Sequence, residues 1–201
     1  YKRLSIYLCL LVVSVSSQAQ DTDEEIVMFT LAQIPYGYNS STGKTTGFLY
    51  DILNEIISES GVGQFNVIAP PKRIFSYVFR NKKVCSLLAG TPDVLLWFKA
   101  VESIDYEISV GVFPQKNVEV LNYVGLNGFS VAVPYGVEFD HQFENDESID
   151  KVYPKRYSAG VRLLNAGRVD AIAGSISSIL YNARIEGIPL SQFGTPLIFG
   201  T

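Results

Sequence analysis

Residues 157–187 read YSAGVRLLNAGRVDAIAGSISSILYNARIEG, and the order of elements they encode decides the fold. Val161, Leu163 and Leu164 give a helix over Tyr157 to Ala166 its apolar side, and Gly167 supplies the stop. Val169 to Ala173 is a short apolar run and reads as a buried strand. Ser175 to Glu186 reads as a further helix, with Gly187 at its end. Helix, short buried strand and helix in succession favour an α/β sheet with parallel components.

The alternation extends in both directions. Phe129 to Val133 (FSVAV) is a strand, Pro134-Tyr135-Gly136 a turn, and Phe139 to Ser148 an acidic stretch, loop-like or weakly helical. In the first half, Glu25 to Leu31 (EIVMFTL) is a strand, and Ala32 to Thr46 is a loop dense in turn residues. Phe48 to Ser60 is a helix with Phe48, Ile52, Ile56 and Ile57 on one face and Gly61 at its stop. Gln64 to Ala69 alternates like a strand, and Pro70-Pro71 open a helix from Lys72 to Arg80. Val84 to Phe98, rich in Leu and Val, reads as one or two buried strands. Ile108 to Phe113 and Val118 to Val124 read as further strands around a turn. Two βα series joined by strand-like segments predict two lobes, with no short-period repeat.

Lys2-Arg3, the apolar run Leu4 to Val15 and Ser16-Ser17-Gln18-Ala19 form the three regions of an export signal. Residues 1–19 are therefore read as a signal peptide cut after Ala19, which places the mature chain in the periplasm. Cys9 lies inside the apolar run, with no polar boundary at which a lipid-bearing terminus would start. Apolar residues make up 47% of the sequence and charged residues 18%, an ordinary globular balance. No second run reaches the length of a membrane span. A net charge of -4 argues against a nucleic-acid partner, which would want a basic face. The mature chain keeps one cysteine, Cys85, read as a buried apolar thiol between Val84 and Leu87. With that cysteine and one histidine there is no metal-ligand cluster, and His141 reads as a solvated loop residue. No cofactor fingerprint, P-loop or nucleophile elbow occurs.

Two segments then stand out together. Ile34-Pro35-Tyr36, Gly43 and Thr46-Gly47-Phe48-Leu49-Tyr50-Asp51-Ile52-Leu53 form one; Leu163-Leu164-Asn165-Ala166-Gly167-Arg168-Val169-Asp170-Ala171 forms the other. The chain resembles bacterial solute-binding protein family 3, the periplasmic receptors of polar amino-acid importers, over about residues 25 to 201. The resemblance implies a two-lobed, clamp-like α/β fold (type II) with a ligand cleft between the lobes. Residues 20–116 would form the first lobe, with 195–201 returning to it, and 117–194 the second. The hinges are expected near Pro114 to Val118 and near Phe193 to Pro196. It further implies a chain that continues past residue 201 to complete the first lobe. The expected partners are a small-molecule solute and the membrane subunits of an ABC transporter, and a monomer is expected.

Within that resemblance the cleft departs from the pattern for α-amino acids. Residues 85–109 contain no arginine to pair with a ligand carboxylate. Ser175 stands where an aspartate would receive an ammonium group, and Gln33 where an aromatic platform is common. Val133-Pro134-Tyr135-Gly136 lacks a Ser-Gly-Thr loop. The candidate ligand-binding residues are therefore Gln33, Tyr36, Arg73, Trp97 and Ser175. Arg73, in the first turn of its helix, either holds an anion or lies over Ile74 and Tyr77. Trp97 either stacks on a ligand or fills the sheet core, with the core favoured. Asp51 and Asp170 are read as structural. The leading reading is a binding protein without catalysis. The alternatives are a dehydratase of the cyclohexadienyl type on a similar fold, with Glu102 or Asp105 as acid, and the ligand-sensing domain of a signalling protein.

Overall fold

Val27–Leu31 (β1) carries the sequence VMFTL, whose central residues are buried on both faces as a strand between two parallel neighbours requires. In the computed structural model, which describes residues 26–62, 65–80, 82–135 and 140–200, β1 begins the first of two sheets. The proposed signal peptide and its cleavage point lie outside the described residues. After β1 the chain makes a small hairpin, Tyr38–Asn39 (β2) with Thr45–Thr46 (β3), inside the stretch expected to be loop. Helix α1 follows at Phe48–Ser60, closed by Gly61 in the left-handed conformation at φ 66°. Its buried stripe is Leu49 and Leu53, whereas Ile52 and Ile56 of the expected face are 36% and 39% exposed. The helix packs one residue round from the sequence reading, because the two leucines meet the sheet.

Strand β4 (Asn66–Ala69), helix α2 (Pro71–Val78) and strand β5 (Val84–Ser86) complete the first unit, a parallel sheet in the order β4-β1-β5. The second half of Val84 to Phe98 is not strand. Thr91-Pro92 start a short helix, α3 (Pro92–Leu95), with the Thr91 hydroxyl accepting the Val94 N–H at 3.4 Å. Leu95, Leu96 and Trp97 are 49%, 76% and 54% exposed, so the leucine-rich run is surface rather than core.

The second sheet has the order β10-β6-β9-β7-β8, built from β6 (Val110–Pro114), β7 (Ser130–Ala132), β8 (Asp150–Val152), β9 (Ala171–Ser175) and β10 (Leu197–Gly200). Strands β8, β7 and β9 are parallel; β6 runs antiparallel to both β9 and β10. Around them lie α4 (His141–Asn145), α5 (Tyr157–Asn165) and α6 (Ile176–Ile185). Val118 to Val124, expected as a strand, is irregular and leads into a 3-10 turn at Tyr123–Leu126. Strand β8 is too short and too acidic in its flanks to have been read as one.

Gln115 bridges Phe193, and Leu197 to Gly200 run beside Val110 to Val112, so both expected hinges lie within the second sheet. Leu197, Ile198 and Gly200 pair with β6 there. Strand β6 starts at the end of the sheet where β9 finishes, with Val110 opposite Ser175. The second lobe also holds the larger core, from Phe113, Val161, Leu164, Ile172 and Ile179 on one face to Val112, Val131 and Phe143 on the other.

Candidate functional site

In open α/β sheets ligands meet the carboxyl ends of parallel strands, where the connecting loops begin. Here those ends face each other across the lobes at one contact. Tyr36, in the loop after β1, is fully buried, and its hydroxyl lies 2.6 Å from the Ser175 hydroxyl and 2.8 Å from that of Ser177. Beside it, Gln33 Nε2 donates to Ser178 Oγ at 2.9 Å, and Ser178 Oγ donates to the Ile34 carbonyl at 2.7 Å. The Tyr38 and Tyr181 hydroxyls meet at 2.7 Å, a bond that, with burial, raises the Tyr38 pKa. Neutral hydroxyl and amide groups thus join the two lobes.

Local sequence explains each position. Gly47, at φ 133°, lets the start of α1 approach the Tyr36 backbone, where a Cβ would collide with the Tyr36 carbonyl. That carbonyl then accepts the Leu49 and Tyr50 N–H groups, both at 3.1 Å. The Tyr36 ring packs edge-on to Phe48 at 5.3 Å between centroids. Across the junction, Ser175 caps α6, and its own N–H donates to the Tyr157 hydroxyl at 3.0 Å. Gly174, at φ 137°, leaves room for that hydroxyl, and burial holds the Tyr157 pKa well above the ordinary tyrosine range. Asp170 takes the structural role read from the sequence: its Oδ2 accepts the Ser130 N–H and hydroxyl, each at 2.8 Å, bracing β7 against β9.

Of the five candidate residues, Gln33, Tyr36 and Ser175 come together at this contact. Arg73 is exposed in the first turn of α2, at the carboxyl end of β4. Trp97 is elsewhere: it packs edge-on to Phe79 at 4.9 Å, beyond the last turn of α2 and about 12 Å along that helix from its cleft end. It is neither core nor cleft. Sequence reading also passed over Lys72, Tyr135, Lys155 and Arg156. Lys72 Nζ sits 5.7 Å over the Tyr135 ring, a second contact between the lobes. The repeated Pro-Lys-Arg tripeptide at 71–73 and 154–156 was the available signal for them. A groove of about 630 Å³ flanks the hydroxyl contact, lined by Pro35, Ser177, Leu180 and Tyr181.

Cys85 is half-buried in β5 with its thiol pKa pushed up by burial, in keeping with an inert thiol. His141 is exposed, in the first turn of α4 rather than in a loop. Among the described residues no group of three metal-ligating side chains occurs, and no helix is long and apolar enough to cross a membrane. Glu102 and Asp105 are exposed in the irregular segment before β6.

No protein-family model and no curated protein matches the sequence. Solved structures do. The holo form of ArgBP from T. maritima is 17% identical, with a TM-score of 0.65 over 89% of this chain and 82% of that one. A periplasmic binding protein of Salmonella typhimurium, described for its high arginine specificity, is 16% identical, with a TM-score of 0.63 over 87% and 84%. A histidine kinase sensor domain similar to periplasmic binding proteins is 17% identical, with a TM-score of 0.63 over 87% and 76%. At these identities the likeness concerns architecture: the chain has the two-lobed fold of the periplasmic binding proteins.

Proposed function

We propose that this chain is a solute receptor of the periplasm, exported by the leader that ends at Ala19, which closes its lobes on a small polar solute and delivers it to an ABC importer. The observation that carries the reading is the convergence of strand carboxyl ends from both sheets on Tyr36 and Ser175. Its hydroxyls hydrogen-bond to one another, to an amide and to a backbone carbonyl, and closure lets the site desolvate a polar ligand against fixed donors and acceptors. Gln33, Tyr36 and Ser175 would form the floor of the cleft and Arg73 its mouth, with the protein acting as a monomer. Trp97 has no part in it.

The test is a thermal-shift screen of the mature protein against amino acids, organic acids, polyamines, sugars and phosphate esters. A solute at about a hundred times its Kd adds about 2.7 kcal/mol, or roughly 5–10 °C for a chain of this size. A panel without any stabilising solute would refute the receptor reading. The histidine kinase neighbour favours a second reading, a sensor domain that uses the same cleft. The two part on whether the bound protein docks onto transporter membrane subunits or onto a signalling module.

A further inference from the structure

The two lobes repeat each other at the ends of their strands. Pro35-Tyr36-Gly37 follows β1 and Pro134-Tyr135-Gly136 follows β7; Pro71-Lys72-Arg73 follows β4 and Pro154-Lys155-Arg156 follows β8. The strands occupy equivalent places, because β4-β1-β5 and β8-β7-β9 are the same all-parallel arrangement. Pro71-Lys72-Arg73 form the first turn of α2, whereas Pro154-Lys155-Arg156 precede α5, with Arg156 as its N-cap. The same Lys-Arg pair therefore follows the equivalent strand at the same distance along the chain in both lobes.

One residue, Tyr135, links the two segments. Lys72 reaches the Tyr135 ring from the first lobe, and the Tyr135 N–H donates to the Pro154 carbonyl at 2.9 Å, next to Lys155. Lys72, Arg73, Lys155 and Arg156 are all exposed, and none forms an ion pair among the described residues. The strand-end segments 32–37, 70–73, 87–91, 133–135, 153–156 and 175–178 contain no aspartate or glutamate. Glu138 lies outside the described residues. Asp140 is engaged as the cap of α4 through the Phe143 N–H at 2.7 Å. Asp105 and Glu107 flank Tyr106, whose ring packs on Phe48. A chain of net charge -4 thus carries four exposed cations on the segments that follow β4 and β8.

Closing a cleft on like charges removes the water that screens them, so closure is favourable only with a counter-charge between the walls. Two guanidinium forks suit oxyanions, and those strand-end segments offer no carboxylate to pair with an ammonium group. The geometry points to a small multivalent oxyanion without an ammonium group, a di- or tricarboxylate or a phosphorylated solute, as the ligand on which this cleft closes. The inference rests on the receptor reading above and sets aside amino acids such as arginine.

The experiment is calorimetric titration and thermal shift of the mature protein with succinate, citrate, inorganic phosphate, L-arginine and glucose. At least one oxyanion should bind, and its affinity should fall about tenfold between about 0.05 and about 0.5 M salt. The carboxylate and phosphate arms separate the two sources of that chemistry. K72E and R156E should each weaken binding at least about tenfold while the free proteins melt no lower than the parent. R156K should keep the salt dependence while losing part of the affinity. Oxyanion stabilisation that persists in the K72E/R156E double variant is a surface effect and overturns the inference. Binding of arginine or glucose with the oxyanions inert overturns it but leaves the receptor reading standing. Silence across all five, with the wider panel also silent, overturns both.

Discussion

At Tyr36 a buried hydroxyl sits between two serine hydroxyls of the opposite lobe, and its removal leaves those groups short of a partner. Tyr36→Phe should therefore lower stability by about 1–2 kcal/mol, read from the urea midpoint at an unchanged slope. Gly174 is the more sensitive position. Its φ of 137° and the Tyr157 hydroxyl against its missing Cβ make Gly174→Ala costly by about 2–3 kcal/mol, by the same measurement. Cys85 sets a pH expectation. Because burial raises its pKa, the thiol favours the fold fully below the unfolded thiol's pKa, and that contribution is lost as pH rises through the folded value. Alkylation at pH 8 should be several-fold slower in the folded protein than in urea, a difference that disappears on unfolding.

Elements were legible where local chemistry alone fixes them. The α5–β9–α6 succession, Gly167 and Gly187 as stops, and the bounds of α1 with its Gly61 terminus appear where the sequence places them, although α1 turns a neighbouring face inward. Reading failed where tertiary pairing decides. The Leu and Val run after β5 looks buried by composition, yet Thr91-Pro92 turn it into a surface helix. Strand β10 has no signal of its own partner, so only its pairing with β6 shows which lobe it completes. Three of the five candidate side chains fell on the interlobe contact: Gln33 and Ser175 through the resemblance, and Tyr36 through its turn-rich loop as well. The cationic pairs were missed, since a tripeptide repeat acquires meaning only once two sheets are seen to be equivalent. The brace between β7 and β9 is testable at this scale. Asp170→Ala removes two acceptor bonds to Ser130 and should cost about 1–2 kcal/mol, with amide exchange quickening first at Ser130 to Ala132.

For the molecule as a whole, the contacts between the lobes among the described residues are hydroxyls, the Gln33 amide and a cation resting on an aromatic ring. Such bonds exchange readily with water, so opening is cheap and a solute has a conformational equilibrium to shift. A Y36F/S178A variant should be more open without ligand, with a larger radius of gyration by small-angle scattering. Trp97 then has a practical consequence. As the sole indole, it is the natural choice for a fluorescence titration, yet it sits against Phe79 at the far end of α2 from the cleft. Its emission will report melting of the first lobe and remain flat while the cleft fills. An optical readout of solute capture has to be engineered in, for instance as a second indole at Tyr135.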